Sequence, residues 1–476
     1  MDEAHGSSSS TGVGVQGHLE GFAAPIWKPY NYQVRGIEWL INLESALFLP
    51  PGLGKSSIAL AAICKLKAEG IPHRTLLLAP LMVCLTTWKT EPSKWRQFGH
   101  LKIGLAHGPD KEKILSDTSY DIVVMNYDGI PWAAPILTRG HKFNILLMDE
   151  LPRLKNTRSV RFKAIKPLFP TFTFRWGLTG TPVANGYLDL FGQIYALDLG
   201  KRLGRFITHY RAKYFHQKPF DQFNYYITPE KAQIIAEKLK DLAMYIDPAE
   251  VLELPEFMVI ETEVVLPPKA YDYYKSLEEY YFLKINETEV ITAANAGVLT
   301  SKLRQATGGA VYTMVDGVRQ TVQLHDAKMQ SLESLVEEMG GEPLLVSYQF
   351  DHELARFMEK WPNALFLKGG MNKALVEQTV IRWNTGTVPL MFVQPSTAAL
   401  GLNLQFGGSA ICWYTLTYNL EELIQLNKRL HRQGQTANVV RCYVLAAQKT
   451  IDQRIAKVLA LKDITQEDLL KTLKLQ

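Results

Sequence analysis

The sequence predicts an α/β protein built on parallel sheet. Two observations carry this. Short apolar runs, ALFLP at 46–50, RTLLLAP at 74–80, DIVVMN at 121–126 and NILLMDE at 144–150, show little alternation, as strands covered on both faces should. Helix-length segments such as SSIALAAICKLKAEG separate them, and that order argues for parallel strands with ligands beyond their carboxyl ends.

At 476 residues, 47% hydrophobic and 21% charged, the chain has material for two or three domains. No window approaches ~20 uninterrupted apolar residues, and the polar start lacks the apolar core of a signal peptide, so no membrane role is expected. Cys64, Cys84, Cys412 and Cys442 form no CxxC pair and have no histidine at ligand spacing, which argues against zinc or a disulfide framework. The net charge of +5 tilts only mildly towards a polyanionic partner. Residues 1–21, MDEAHGSSSSTGVGVQGHLEG, carry too little apolar surface to offset their conformational entropy and are expected to form a disordered tail.

The first apolar run enters PPGLGKSS, Pro50 to Ser57, which leads straight into a helical pattern. Gly52 and Gly54 let the backbone curl so that N–H groups at Gly52, Leu53, Gly54, Lys55, Ser56 and Ser57 converge on an anion. Lys55 adds a charge for outer phosphates and Ser56 a hydroxyl for Mg2+. The full pattern G-x-x-x-x-G-K-[ST] would place glycine where Leu49 stands, so the match is partial. A phosphate loop needs an acidic partner, and Asp149 and Glu150 end the run NILLMDE. Asp149 is expected to hold the metal through water, and Glu150 to orient or deprotonate an attacking water.

Further on, RWGLTGTPVAN at 175–185 places a small-residue turn after another apolar run. With it the chain resembles the superfamily 2 helicases and translocases, and specifically their Swi/Snf branch. GLGKSS, APLMVCLTTW (79–88), DELPRLKN (149–156) and LTGTPVAN (178–185) match the branch's successive motifs. The resemblance implies two tandem RecA-like lobes with helical insertions between them, and ATP as the nucleotide. Gln33, in YNYQVRGIEWL, would read adenine, and Thr179, Thr181 and Gly401 would couple the ATP site to the lobes. It also implies arginines delivered from a second lobe. PLLVSYQF (343–350), PLMFVQPS (389–396), SAICWY (409–414) and VVRCYVLA (439–446) supply a second set of strands. LEELIQLNKRLHRQGQ matches QxxxRxxRxGQ at every fixed position. Gln425, Arg429 and Arg432 share one helix face at spacings of four and three. Lys55, Glu150, Arg429 and Arg432 are the expected catalytic set, with Gln425 beside the nucleotide.

By the same resemblance, the phosphate backbone of nucleic acid would touch Pro80, Leu81, Trp88, Lys89, Asn126 and Tyr127 in the first lobe. In the second it would touch Lys368, Gly369, Ser396, Thr397 and Asn403. Trp88 reads equally well as a core aromatic, and YDYYKSLEEYYFLK (271–284) reads as the buried stripe of an amphipathic helix. The expected division is lobe one over 22–262, with a helical insertion after about 190, and lobe two over 263–476, opening with a helical protrusion. Pro152 replaces the family's histidine, and Pro50 and Pro51 its acidic residues, yet every hydrolytic group remains. DEAH at 2–5, the four letters that name a class of such ATPases, is a decoy by position. The implied activity is an ATP-dependent motor translocating on double-stranded DNA, monomeric, with a protein cargo or partner, in the cytoplasm of a bacterial or virus-infected cell. A strand-separating helicase on branched DNA or RNA, and a weakly hydrolysing clamp, are the alternatives.

Overall fold

The structure is a computed structural model that describes residues 24–219, 221–287 and 293–474. The expected tail and its DEAH lie outside the described residues. In chain order the strands are β1 (Glu44–Phe48), β2 (Thr75–Ala79), β3 (Ile103–Leu105), β4 (Ile122–Asn126), β5 (Ile145–Asp149), β6 (Phe174–Thr179), the hairpin β7 (Phe215–Lys218) with β8 (Asp221–Ile227), and β9 (Ala243–Met244). Those of the second half are β10 (Glu256–Val264), the hairpin β11 (Ala310–Val315) with β12 (Val318–Gln323), β13 (Leu344–Ser347), β14 (Leu365–Leu367), β15 (Leu390–Val393), β16 (Ala410–Trp413) and β17 (Val439–Ala447).

They form two all-parallel sheets, ordered β3-β4-β2-β5-β6-β1-β9 and β10-β17-β16-β13-β15-β14, each covered by helices. The expected fold class is therefore the observed one. Strand residues alternate between two apolar layers. Ala46, Phe48, Leu76, Leu78, Leu146 and Met148 pack to one side of the first sheet, and Leu47, Leu77, Ala79, Ile145 and Leu147 to the other. Covering both faces is what makes these runs continuous rather than alternating in sequence.

The domain boundary is corrected. Residue 262 falls inside β10, which pairs with β17 along nine positions, so the second sheet begins at Glu256. This edge strand is mostly exposed, and its polar alternation, EFMVIETEV, hid it among the core runs. The last helix, Ile451–Thr472, also crosses the division. Ile451, Ile455 and Leu459 pack into the second lobe, whereas Leu469, Leu470 and the following Leu473 enter the first-lobe core. The tyrosine-rich stretch falls on the helix Pro268–Glu287. Tyr274 is buried there, but Tyr273 and Tyr280 are exposed, so the stripe is narrower than its aromatic count suggested.

A buried polar knot fixes the start of the terminal helix. Lys328 Nζ lies 2.7 Å from Asp452 Oδ2, with both side chains almost fully enclosed, and also donates to the carbonyl of Tyr414 at 2.9 Å. Asp452 further accepts from the Thr307 hydroxyl and the Ala447 N–H. Removing one member leaves an uncompensated buried charge, which costs about 3–5 kcal/mol, whereas replacing both with apolar groups costs far less. Asp452→Leu should therefore lower the chemical-denaturation midpoint sharply, and Lys328→Met with Asp452→Leu should recover most of the loss. Equal destabilisation of the single and double variants would show that the two charges are not coupled.

Candidate active site between the lobes

The phosphate loop lies where β1 ends, and its curl is visible in the backbone: Gly52 has φ 96° and Gly54 φ 74°, the left-handed region that glycine tolerates. A Cβ on Gly54 would also stand 2.5 Å from Gln33 Nε2, so the glycine admits the glutamine side chain directly against the loop. Gln33 is oriented at both ends, accepting from the Tyr30 N–H at 3.0 Å and donating to the Leu53 carbonyl at 3.4 Å. Lys55 opens the helix Lys55–Ala68, and its ammonium donates back to the carbonyls of Leu49 (2.7 Å) and Pro50 (3.3 Å), which holds its charge over the curl. Ser57 also lines this cleft, and its buried hydroxyl donates to Glu91 Oε1 at 2.8 Å.

Asp149 ends β5 with a buried carboxyl. Its Oδ2 accepts the Trp88 indole N–H at 2.8 Å and its Oδ1 the Glu150 N–H at 3.1 Å. Burial first, and the neighbouring Glu150 carboxylate second, push Asp149 up to about 6, against the opposing pull of Trp88 and Lys55. Glu150 follows with φ 56°, an unusual conformation for a non-glycine residue. Its Oε2 is buried without a hydrogen-bond partner among the described residues. A buried carboxylate, an unpaired acidic oxygen and the Ser56 hydroxyl at the mouth of one cleft suit a hard, oxygen-seeking cation such as Mg2+, which keeps most of its waters. Among the described residues no cluster of three or more His, Cys, Asp or Glu side chains could hold a metal ion by itself, so a cation here would depend on water and nucleotide oxygens for the rest of its shell.

The arginines come from the other lobe. The helix Leu420–Leu430 carries Gln425 and Arg429, and Arg432 follows at its end. These three residues line one cleft of about 670 Å³ with Gln33, Lys55, Asp149 and Glu150. Burial pushes Arg429 down to about 10, Arg432 adds to the shift and Glu150 opposes it. Lys55 is lowered by burial and by both arginines, while Glu150 and Asp149 oppose. Five cations, Lys28, Lys55, Lys94, Arg429 and Arg432, thus line the cleft with three carboxylates, Glu91, Asp149 and Glu150, a positive excess that favours a polyanion between them.

The residues expected to couple the ATP site to the lobes come from both of them. Thr179 and Thr181 are buried, with the Thr181 N–H donating to Thr179 Oγ1 at 3.1 Å. A Cβ on Gly180 between them would meet Pro51 Cδ at 3.0 Å, so this turn packs on the phosphate loop. Asn185, past the turn, accepts from Lys462 of the terminal helix at 3.1 Å. Gly401, at φ 72°, lies beside Thr87 and lines the same cleft.

Several expected nucleic-acid contacts are corrected. Trp88 is fully buried on Asp149, and Tyr127 is buried with its hydroxyl donating to the Asp149 carbonyl at 2.9 Å. Both are large aromatics with a polar end, and that end is spent on the acidic residue. Thr397 is buried and donates to the Gln394 carbonyl, and Asn403 lies in the nucleotide cleft, accepting from Arg432 at 2.7 Å. Leu81, Lys89, Lys368, Gly369 and Ser396 are exposed, and Pro80 and Asn126 are half-buried. Sequence reasoning missed Glu91, which accepts from both Ser57 and Lys94, and Glu421, which burial and Glu150 push up to about 7. Neither belongs to a recognisable pattern; only the fold brings them to the site.

Fold and site together define a two-lobed P-loop ATPase with one nucleotide cleft shared between its lobes. Residues 32–241 match the SNF2-related domain model and residues 327–434 the helicase conserved C-terminal domain. A relative from Acyrthosiphon pisum secondary endosymbiont phage 1, "Putative protein p41", is 32% identical over 463 residues, covering 94% of this chain and 98% of that one. The chain belongs to the SNF2-related family of ATP-dependent helicases and is a nucleic-acid-dependent ATPase. An "Uncharacterized ATP-dependent helicase" of Mycoplasma pneumoniae is 23% identical over 93% of this chain, which spans 42% of that protein's length. Among solved structures, the Sulfolobus solfataricus SWI2/SNF2 ATPase core in complex with dsDNA is 22% identical and covers 94% of each chain, at a TM-score of 0.44. No helix among the described residues is long and apolar enough to cross a membrane.

Trp88→Phe deletes the N–H that holds Asp149 and, phenyl being smaller than indole, leaves a cavity at this fully buried site. Hydrogen bonds to charged groups contribute about 1.5–3 kcal/mol, so turnover should fall roughly tenfold or more and half-saturation by Mg2+ should rise, alongside a lower unfolding midpoint in a protein that still folds. Unchanged Mg2+ dependence would show that the indole does not position Asp149.

Proposed function

We propose that the protein is an ATP-driven motor that moves along double-stranded DNA without separating its strands, and remodels the DNA or a protein bound to it. The observation that carries the reading is the convergence of Arg429 and Arg432 of one lobe with Lys55 and Glu150 of the other in one cleft. Gln33 would select adenine at the loop's outer side. The loop N–H groups and Lys55 would bind the outer phosphates. Mg2+, held by Ser56 and by Asp149 through water, would neutralise part of their charge. Glu150, which lines the cleft, would orient a water and accept its proton. The two guanidiniums would stabilise charge growing on the transferring oxygens only while the lobes are together.

Hydrolysis then removes the anion that bridges the lobes. If each lobe grips the same backbone, through Leu81 and Lys89 on one side and Lys368, Gly369 and Ser396 on the other, alternate closing and opening becomes a step. One observation favours the second reading, strand separation. The β11–β12 hairpin projects an apolar tip, with Met314 and Val318 largely exposed around the turn Asp316–Gly317, a shape suited to wedging between bases.

ATP turnover measured alone and with duplex DNA, single-stranded DNA and RNA separates the readings. Duplex should stimulate most, and absence of stimulation by all three would overturn the motor. Glu150→Gln should lower turnover by about a hundredfold or more while ATP still binds, as loss of a general base does. Near-normal turnover would remove Glu150 from that role.

A further inference from the structure

The net positive excess of the chain can be traced to one segment. Residues 199–220, LGKRLGRFITHYRAKYFHQKPF, hold six Lys/Arg, two His and no Asp or Glu. Against a whole-chain count of 52 Lys/Arg and 47 Asp/Glu, the remainder has 46 and 47, so this one segment accounts for the protein's entire positive excess. It forms the helix Ile207–Tyr214 and runs into β7, away from the nucleotide cleft.

The fold turns this segment into a two-sided element. Tyr210 and Tyr214, four apart, are buried, and the Tyr210 hydroxyl donates to the carbonyl of Tyr187 at 2.8 Å, just past the TGTP turn. His209 and Lys213, also four apart, point outward on the opposite side, preceded by exposed Arg205 and continued by exposed His216 and Lys218. Lys201 and Arg202 are spent on Glu44, Asp198 and Asp241. Among the described residues, Arg205, Lys213 and Lys218 enter no ion pair. Aromatics are interleaved with them: Phe206 is 59% exposed and meets the His209 ring at 5.4 Å, and Lys218 lies 4.3 Å above the Tyr226 ring. Cations without an ion-pair partner along one exposed stretch of chain, with flat rings among them, suit a phosphate backbone of regular charge better than a solubilising surface, where both signs intermix.

We propose that Arg205, His209, Lys213, His216 and Lys218 form a second nucleic-acid contact on the first lobe, gripping the phosphate backbone of duplex DNA independently of sequence. The assignment rests on the duplex reading above and extends it. The patch is anchored through Tyr210 to the segment that follows the coupling turn, so DNA held there bears on the element that packs against the phosphate loop.

The test is duplex binding across a salt series for Arg205→Gln/Lys213→Gln/Lys218→Gln, beside a control triple at exposed lysines elsewhere, Lys238→Gln/Lys269→Gln/Lys457→Gln. Each phosphate contact contributes about 0.9 to the slope of log affinity against log salt. The patch variant should therefore lose roughly 2–3 from that slope, need at least about tenfold more duplex for half-maximal ATPase stimulation, and keep its turnover without DNA. The control triple should leave the slope unchanged. An unaltered slope in the patch variant, or an equal loss in the control, overturns the proposal. So does loss of binding to polyglutamate with duplex binding intact, which would mark an acidic-protein site. If the unmodified protein is not stimulated by duplex, the duplex reading itself fails, a result separable from a failure of the patch alone.

Discussion

The structure depends on a charge imbalance at the lobe interface. Lys55 from the first lobe and Arg429 and Arg432 from the second are drawn into a largely desolvated cleft, with Asp149 and Glu150 as the nearby carboxylates. Burying cations is costly unless opposite charge accompanies them, and a magnesium-bound triphosphate brings what these residues lack. On the proposed reading, the nucleotide would be the electrostatic bridge that makes one site of two lobes, and its hydrolysis would weaken that bridge.

Mechanical links around the cleft follow from packing. Asp149 is tied through Trp88 to the segment 81–94, which also meets the second lobe, where Lys373 donates to the Leu85 carbonyl and Gly401 lies beside Thr87. The turn at Thr179–Pro182 packs on the phosphate loop, and Asn185 beyond it is held by Lys462. The terminal helix, rooted in one lobe by Asp452 and ending in the core of the other, forms a third connection distant from the nucleotide. The first two links cross between the lobes through lysine side chains, Lys373 and Lys462, and the third through the helix itself.

Much of this was legible in the sequence because continuous apolar runs are the signature of doubly covered parallel strands, and β1, β2, β4, β5 and all four inner strands of the second sheet were read that way. The glycine loop, the acidic pair and the arginine helix were legible because phosphate chemistry demands particular residues at fixed spacing. What escaped is what depends on three-dimensional surroundings. β10 is an exposed edge with polar alternation, and β3, β9 and β14 are too short to stand out. Tyr127 sits where a backbone contact was expected, and Trp88, open between a backbone contact and a core aromatic in the sequence, takes the core place. Only the fold shows that their polar ends turn inward to Asp149.

The central claim, that nucleotide draws the lobes together through the two arginines, is tested most directly by the distance between spin labels at positions 142 and 359, exposed on the first and second lobes respectively. The distance distribution should shorten and sharpen when a non-hydrolysable ATP analogue is added, and should stay broad in a variant with Arg429→Ala and Arg432→Ala that still binds the analogue. Equal shortening in that variant, or no change in the unmodified protein, would contradict the account.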